Sequence, residues 1–229
     1  MRRTVLIVGA GSGLSAALAR RFADAGAQIA LAARSAGKLG ELEEQVGARV
    51  FACDASSPPA VAALFNDVAR ALGEPDVVIY NASQRTRGPF VDLDPDAVER
   101  GLTVTAFGGF LVGQAAARRM LPRGSGVILF TGASASVKGY AQSAPFAMGK
   151  FALRGLAQSM ARELAPLGIH VAHVVIDGGI RSAANPGDPA RPDALLDPAA
   201  IAETYFQLAQ QPRSAWSWEI ELRPWVERF

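Results

Sequence analysis

The sequence predicts a single α/β domain over residues 1–229, built as a doubly wound, mostly parallel sheet of seven strands with helices on both faces. Two observations predict this fold. The short runs VLIV, VVIY and VILF are apolar at every position, as expected of parallel strands that helices cover on both sides. These runs alternate from end to end with longer segments of helical spacing. The chain of 229 residues is long enough for one large domain with a buried core.

The order of the elements follows from the same patterns. Leu14, Leu18 and Phe22 recur every four residues and predict a helix directly after the first strand. The polar, proline-rich segment Asn185–Pro198 is too short for a linker and predicts a surface flap. The predicted strands are Thr4–Val8, Gln28–Ala32, Arg49–Ala52, Asp76–Tyr80, Val127–Thr131, Ile169–Ile176 and, as a last edge strand, Glu219–Leu222.

The composition argues against several classes of partner. The net charge is +2 without a basic block, which argues against nucleic acid. No apolar run reaches the roughly 18 residues of a membrane helix. The single cysteine, Cys53, cannot form an internal disulfide, which fits a reducing compartment. His170 and His173 lack further metal-ligating neighbours. We therefore expect a cytoplasmic protein that acts on a small molecule, with no nucleic-acid, membrane or metal partner.

The first strand leads into a glycine-rich turn that reads Gly9-Ala10-Gly11-Ser12-Gly13-Leu14-Ser15. Such a turn lets the backbone approach a pyrophosphate, which the following helix N-terminus attracts. The common G-x-G-x-x-G spacing fails at Leu14. The wider G-x-x-x-G-x-G spacing fits Gly9 and Gly13, with Ser15 in place of the last glycine. A tight turn without a ligand is the alternative, but the position after the first strand of a two-sided sheet favours nucleotide binding.

The residues after the second strand indicate which nicotinamide cofactor fits. An acidic residue at this point would bind the ribose 2′-hydroxyl of NAD(H), whereas an arginine suits the 2′-phosphate of NADP(H). The sequence reads Ala33-Arg34-Ser35, with no acid. A solvated surface arginine is the alternative. We expect NADP(H) to be preferred, with NAD(H) still possible.

At this point the chain resembles the short-chain dehydrogenase/reductase family over nearly all of its length. The motifs that carry the resemblance are the Gly9/Gly13 loop, Cys53-Asp54, Tyr80-Asn81-Ala82-Ser83, Lys150 in an aromatic-x-x-x-Lys frame, and Ile176-Asp177-Gly178. The resemblance implies a Rossmann-type fold and hydride transfer between a nicotinamide and a carbonyl or alcohol. It also implies that Asp54 binds the adenine edge and that Ser182 meets the nicotinamide carboxamide. The residues expected at the cofactor are Gly9, Gly11, Ser12, Gly13, Leu14, Arg34, Asp54, Asn81, Ala82, Lys150, Gly178, Ile180 and Ser182.

The catalytic positions that the resemblance implies are mostly substituted. The family's tyrosine acid maps to Phe146, which has no hydroxyl, and its carbonyl-polarising serine maps to Ala133. Its helix asparagine maps to Thr105, and only Lys150 keeps the family residue. A positioned acid contributes about 10²–10⁴ in rate, so these losses predict cofactor binding with weak or altered chemistry.

Other groups near Phe146 could replace the missing acid. Tyr140 is a phenol six residues upstream, and its alternative role is that of a surface loop tyrosine. Ser134 could polarise the carbonyl after a shift of one residue in its loop. Arg85 and Arg87 could meet an anionic substrate, or they could be a solvated loop pair.

Three functional hypotheses remain open from the sequence. The first is an NADP(H)-dependent oxidoreductase with a non-standard proton donor. The second is a non-catalytic dinucleotide-binding sensor or partner subunit. The third is a lyase or isomerase on the same scaffold, since a fold does not determine a function. Small residues in the helices near 114–121 and 146–165, together with the resemblance, predict a homodimer or homotetramer; packing within the monomer is the alternative reason for them.

Overall fold

The computed structural model describes residues 3–227 and confirms the predicted α/β architecture with one seven-stranded sheet. The strands are β1 (Thr4–Val8), β2 (Gln28–Ala33), β3 (Arg49–Ala52), β4 (Val77–Tyr80), β5 (Gly126–Thr131), β6 (Ile169–Ile176) and β7 (Glu219–Leu222). Their order is β3-β2-β1-β4-β5-β6-β7, and every neighbouring pair is parallel. The predicted edge strand is therefore the last strand of the sheet.

Helices cover both faces of this sheet. They are α1 (Leu14–Asp24), α2 (Gly40–Val46), α3 (Pro58–Leu72), α4 (Pro95–Leu102), α5 (Gly108–Met120), α6 (Ala144–Leu164) and α7 (Pro198–Gln210). Within residues 3–227, no helix is long and apolar enough to cross a membrane.

Alternate side chains of β1 belong to two different cores. Val5 and Ile7 pack in a cluster with residues of α1 and α7. Leu6 and Val8 pack in a second cluster with residues of α3, α5 and α6. This two-sided burial explains why the strand is apolar at every position, because each face of the sheet needs its own apolar surface.

A π-helical turn, Thr103–Phe107, joins α4 to α5 within one continuous helical segment. Tyr80, at the end of β4, donates its hydroxyl proton to the carbonyl of Val104 in this turn. Gly108 follows directly, and a Cβ there would lie 2.4 Å from the Tyr80 hydroxyl. The turn is thus fixed against the carboxyl end of the sheet, where such irregular turns are frequently part of functional sites.

Candidate functional site

Three adjoining cavities open at the carboxyl ends of the central strands. The glycine-loop cleft, about 430 Å³, is lined by the turn after β1 and by Arg34, Asp54 and Asn81. The inner cleft, about 440 Å³, shares Asn81 with it and reaches Phe146 and Lys150. The mouth, about 490 Å³, shares Phe146 with the inner cleft and opens past the loops after β4 and β5. Ligands of open α/β sheets bind at this edge.

The turn after β1 requires glycine at its first position. Gly9 has φ +88°, and a Cβ there would lie only 2.4 Å from the backbone nitrogen of Ala82. Ser15, at the position where the resemblance implies a glycine, donates its hydroxyl proton to the Gly9 carbonyl at 3.1 Å. The same hydroxyl accepts a bond from Asn81 Nδ2 at 2.7 Å. Ser15 therefore ties the turn to the end of β4.

The amino end of α1 faces the glycine-loop cleft. Gly13 is its N-cap residue, and within residues 3–227 no side chain caps that end. Gly11 and Ser12 line the cleft directly beside it. The first amides of α1 are thus placed to bind an anionic group such as a pyrophosphate.

Two cations and one carboxylate line the far end of the glycine-loop cleft. Arg34 is exposed there, and Lys38 lies beside it. Asp54 accepts hydrogen bonds from the hydroxyl of Ser56 at 2.6 Å and from its backbone amide at 3.0 Å. These bonds, and to a lesser degree Arg34, lower the pKa of Asp54. The carboxylate stays ionised at neutral pH and is held in place.

Lys150 is buried in the inner cleft without a carboxylate partner. Its Nζ donates to the backbone carbonyl of Thr131 at 2.7 Å, and only 3% of the residue is exposed. No carboxylate of residues 3–227 forms a salt bridge with it. Burial, followed by the positive charge of Arg85, lowers the pKa of Lys150 to about 7. Its ammonium can therefore release a proton at neutral pH.

Two basic side chains lie close to the ring of Phe146. The Lys150 ammonium is 5.7 Å from the ring centroid, and the Arg85 guanidinium carbon is 4.5 Å from it. Phe146 itself is buried, with 7% exposure. The ring at the position where the resemblance implies a tyrosine is thus a contact surface for Arg85, a neighbour that the sequence did not predict for it.

The loop after β5 contains the serine candidates. Ala133 and Ser134 both line the inner cleft, but only Ser134 offers a hydroxyl there. Ser136 is fully buried; its hydroxyl accepts a bond from the Ala133 amide at 3.1 Å and lies 3.3 Å from Nε2 of His173. Ser134 is therefore the serine of this loop that lines the inner cleft.

Three further predicted residues lie at or beyond the edge of these cavities. Tyr140 lines the mouth and is 44% exposed. Thr105 is buried in the π-helical turn, where its hydroxyl accepts a bond from the Gln84 amide at 3.2 Å, and it lines none of the three cavities. Ser182 likewise lines none of them, since its hydroxyl accepts a bond from the Asn185 amide at 3.1 Å. Asn185 lines the inner cleft instead.

The other predicted cofactor residues line the cavities, except Gly13, which lines none of the three. Leu14, Gly178 and Ile180 border the inner cleft, and Ala82 borders the glycine-loop cleft. Sequence reasoning missed Lys38 and Asn185 as lining residues. Lys38 could have been predicted, because it is a basic residue four positions after Arg34. The position of Asn185 could not, because it depends on how the flap folds back.

Replacing Lys150 by methionine should change how the stability of the ligand-free protein depends on pH. Between pH 7 and about 10.5 the unfolded chain holds a lysine proton that the folded chain lacks, so the free energy of unfolding rises with pH. Lys150→Met should flatten this rise and raise the free energy of unfolding at pH 7 by about 2 kcal/mol.

Urea unfolding from pH 7 to 9 measures this slope. The range ends at 9 because burial raises the pKa of Cys53 to about 11, which adds a slope of opposite sign above that pH. The exposed Lys38, changed to methionine, is the control and should keep the wild-type slope. An unchanged slope in Lys150→Met would show that Lys150 is charged in the folded protein.

Comparison with known proteins decides the family. The family model described as short chain dehydrogenase matches residues 3–188. The chain belongs to the short-chain dehydrogenase/reductase family. Its structural relatives in this family include an oxidoreductase solved in complex with NADP.

Individual relatives of this short-chain dehydrogenase/reductase cover nearly the whole chain. A short-chain dehydrogenase from Rhodopseudomonas palustris has a TM-score of 0.84 at 36% identity, over 97% of this chain and 99% of that one. A metagenomic short-chain oxidoreductase in complex with NADP has a TM-score of 0.85 at 27% identity, over 98% of each chain. A cyclic-di-GMP-binding biofilm dispersal mediator protein from Escherichia coli K12 is 31% identical over 200 residues, 87% of this chain and 82% of that one.

Proposed function

We propose that this chain is an NADP(H)-dependent oxidoreductase that interconverts a small carbonyl compound and its alcohol without a tyrosine acid. The observation that carries the proposal is the inner cleft, where Lys150 and Ser134 line a cavity that adjoins the glycine-loop cleft through Asn81. Bound NADP(H) would supply or accept the hydride. The residues of the chain would bind the cofactor, polarise the carbonyl and transfer the proton.

The proposed cofactor contacts follow the glycine-loop cleft. The backbone of the Gly9 turn and the amino end of α1 receive the pyrophosphate, as the open N-cap at Gly13 favours. Asp54, held ionised, binds the adenine edge. Arg34 and Lys38 bind a 2′-phosphate, and no acidic residue stands beside them after β2.

Replacing Arg34 by alanine should weaken NADPH binding by about tenfold to a hundredfold, because charge-assisted hydrogen bonds contribute about 1.5–3 kcal/mol each. NADH, which lacks the 2′-phosphate, should bind nearly as before. Calorimetric titration of both cofactors measures the difference, with the exposed Arg70, changed to alanine, as the control. Equal losses for NADPH and NADH would refute the proposed preference.

Proton transfer is proposed at Nζ of Lys150. Its pKa of about 7 is close to the working pH, which is the condition for an effective general acid or base. The hydroxyl of Ser134 is the proposed donor to the carbonyl oxygen, in the role of the serine missing at Ala133. Tyr140 lines only the mouth. It is the alternative acid if the loop that carries it closes over the inner cleft. Oxidation of NADPH with a panel of aldehydes and ketones tests the reaction.

A non-catalytic sensor or partner subunit is the second candidate function. The observation that favours it is the absence of a hydroxyl at both Phe146 and Ala133 in the inner cleft. The relative from Escherichia coli, whose name describes binding of cyclic-di-GMP, gives an example of this family in a binding role. Cofactor binding without any oxidation of NADPH over the whole panel would favour this reading.

We further propose a homodimer or homotetramer in the cytoplasm, assembled through α5 and α6. Large apolar side chains are exposed along these helices and the π-helical turn before α5, with Phe107 and Phe110 stacked at 6.1 Å and Met148 half exposed. An exposed apolar surface of this kind is costly in water and typical of an interface.

A further inference from the structure

Two arginines at the mouth form no ion pair with any acidic residue among residues 3–227. Arg85 and Arg87 both line the mouth, and Arg85 also lines the inner cleft. In the described part of the chain, neither forms a hydrogen bond or a salt bridge, unlike Arg154 or Arg181. Partial burial, followed by the charge of Arg87, lowers the pKa of Arg85. The positive charges of the two guanidinium groups therefore repel each other in the ligand-free protein.

The contact between Arg85 and Phe146 orients the guanidinium group of Arg85. Its guanidinium lies over the ring of Phe146, 4.5 Å from the centroid, while the Lys150 ammonium lies 5.7 Å from the same centroid. A guanidinium over an aromatic face gains cation–π attraction, which fixes its plane and leaves the N–H groups at its edge for a planar acceptor. Two cations thus flank one ring at the junction of the inner cleft and the mouth.

The acidic groups near the mouth do not neutralise this pair. Asp177 is the buried carboxylate there, and it is already paired with Lys138 at 3.4 Å and with Arg223 at 3.3 Å. Glu227 is exposed at the rim. The mouth and inner cleft therefore keep an excess of positive charge, which attracts an anion and raises its local concentration.

We infer that the substrate carries a carboxylate, which Arg85 binds at the junction of the mouth and the inner cleft, with Arg87 adding charge and the carbonyl directed towards Lys150. This inference rests on the proposed function, since it names the substrate class of the same site. An arginine fork and a carboxylate form paired, charge-assisted hydrogen bonds. A bound carboxylate would also relieve the repulsion between Arg85 and its neighbouring cations.

Binding of matched acids and esters tests the inference independently of turnover. The probes are 4-carboxybenzaldehyde, 2-oxobutanoate and 5-oxohexanoate, each beside its methyl ester, titrated by calorimetry into the full chain with and without NADP⁺. At least one acid should bind the wild type about tenfold or more tightly than its ester. R85Q should remove most of that difference and R87Q part of it, whereas R70Q should leave it unchanged.

The outcomes separate the two proposals. Equal binding of every acid and its ester, no binding of any acid, or equal effects of R85Q and R70Q would each overturn the carboxylate subsite. NADPH titration of the same proteins tests the proposed function by itself. NADPH binding without a preference for acids would retain the cofactor site and reject the inference. A preference for acids without NADPH binding would retain the anion site and reject the oxidoreductase proposal.

Discussion

Gly9→Ala is expected to abolish measurable NADPH binding and to lower the free energy of unfolding by about 3 kcal/mol. At φ +88° a side chain is strained, and its Cβ would lie 2.4 Å from the Ala82 nitrogen. The turn must therefore move away from β4 and break the bonds through Ser15 that tie it to Asn81. A displacement of about 1 Å at such a site costs about a hundredfold in function.

Gly11→Ala is the matched control for the folding effect. Nothing lies within 4 Å of a Cβ built at Gly11, and its backbone does not require glycine. Urea unfolding of the two variants should therefore differ by most of the expected 3 kcal/mol. Equal stabilities of Gly9→Ala and Gly11→Ala would show that the turn is not packed against the end of β4.

Introducing the two hydroxyls that the family resemblance implies at positions 146 and 133 should have the second large effect. Phe146→Tyr with Ala133→Ser is expected to raise the rate of NADPH oxidation with a neutral aldehyde by about 10²–10⁴. The new phenol would stand between Arg85 and Lys150, and two nearby cations lower the pKa of a phenol. The new serine would line the inner cleft, as Ala133 now does.

Single variants separate the two contributions. Phe146→Tyr alone should give part of the gain, and Ala133→Ser alone less, because a donor to the carbonyl still leaves the proton to be supplied. Steady-state rates with NADPH and benzaldehyde measure the series. A double variant that binds NADPH as the wild type does but shows no gain would mean that the inner cleft does not receive the carbonyl.

The fold followed from the sequence because its main signals are local. Strands buried on both faces are apolar at every position, and the predicted bounds agree with β2, β4 and β5 to within one residue. The glycine turn was also readable, since one position needs a backbone that only glycine adopts easily.

The surroundings of the predicted catalytic positions were harder to predict from the sequence. The sequence shows that Phe146 has no hydroxyl, but its contact with Arg85 joins helix α6 to the loop that follows β4, and these are far apart in the chain. The same applies to Lys150, whose pKa depends on burial and on Arg85 and not on its neighbours in sequence. Ser182 was predicted at the cofactor, and the fold of the flap brings Asn185 to the inner cleft instead.

Transfer of deuterium from reduced cofactor to product tests the central proposal most directly. The wild-type protein is incubated with NADPH deuterated at the transferred position and with the three keto and aldehyde acids, and the products are analysed by mass spectrometry. We expect an alcohol that carries one deuterium, formed by the wild type and lost in Lys150→Met. The contradicting result is that the wild type forms no deuterated alcohol, whereas the Phe146→Tyr, Ala133→Ser variant does. The wild-type protein would then bind the cofactor without catalysing the transfer.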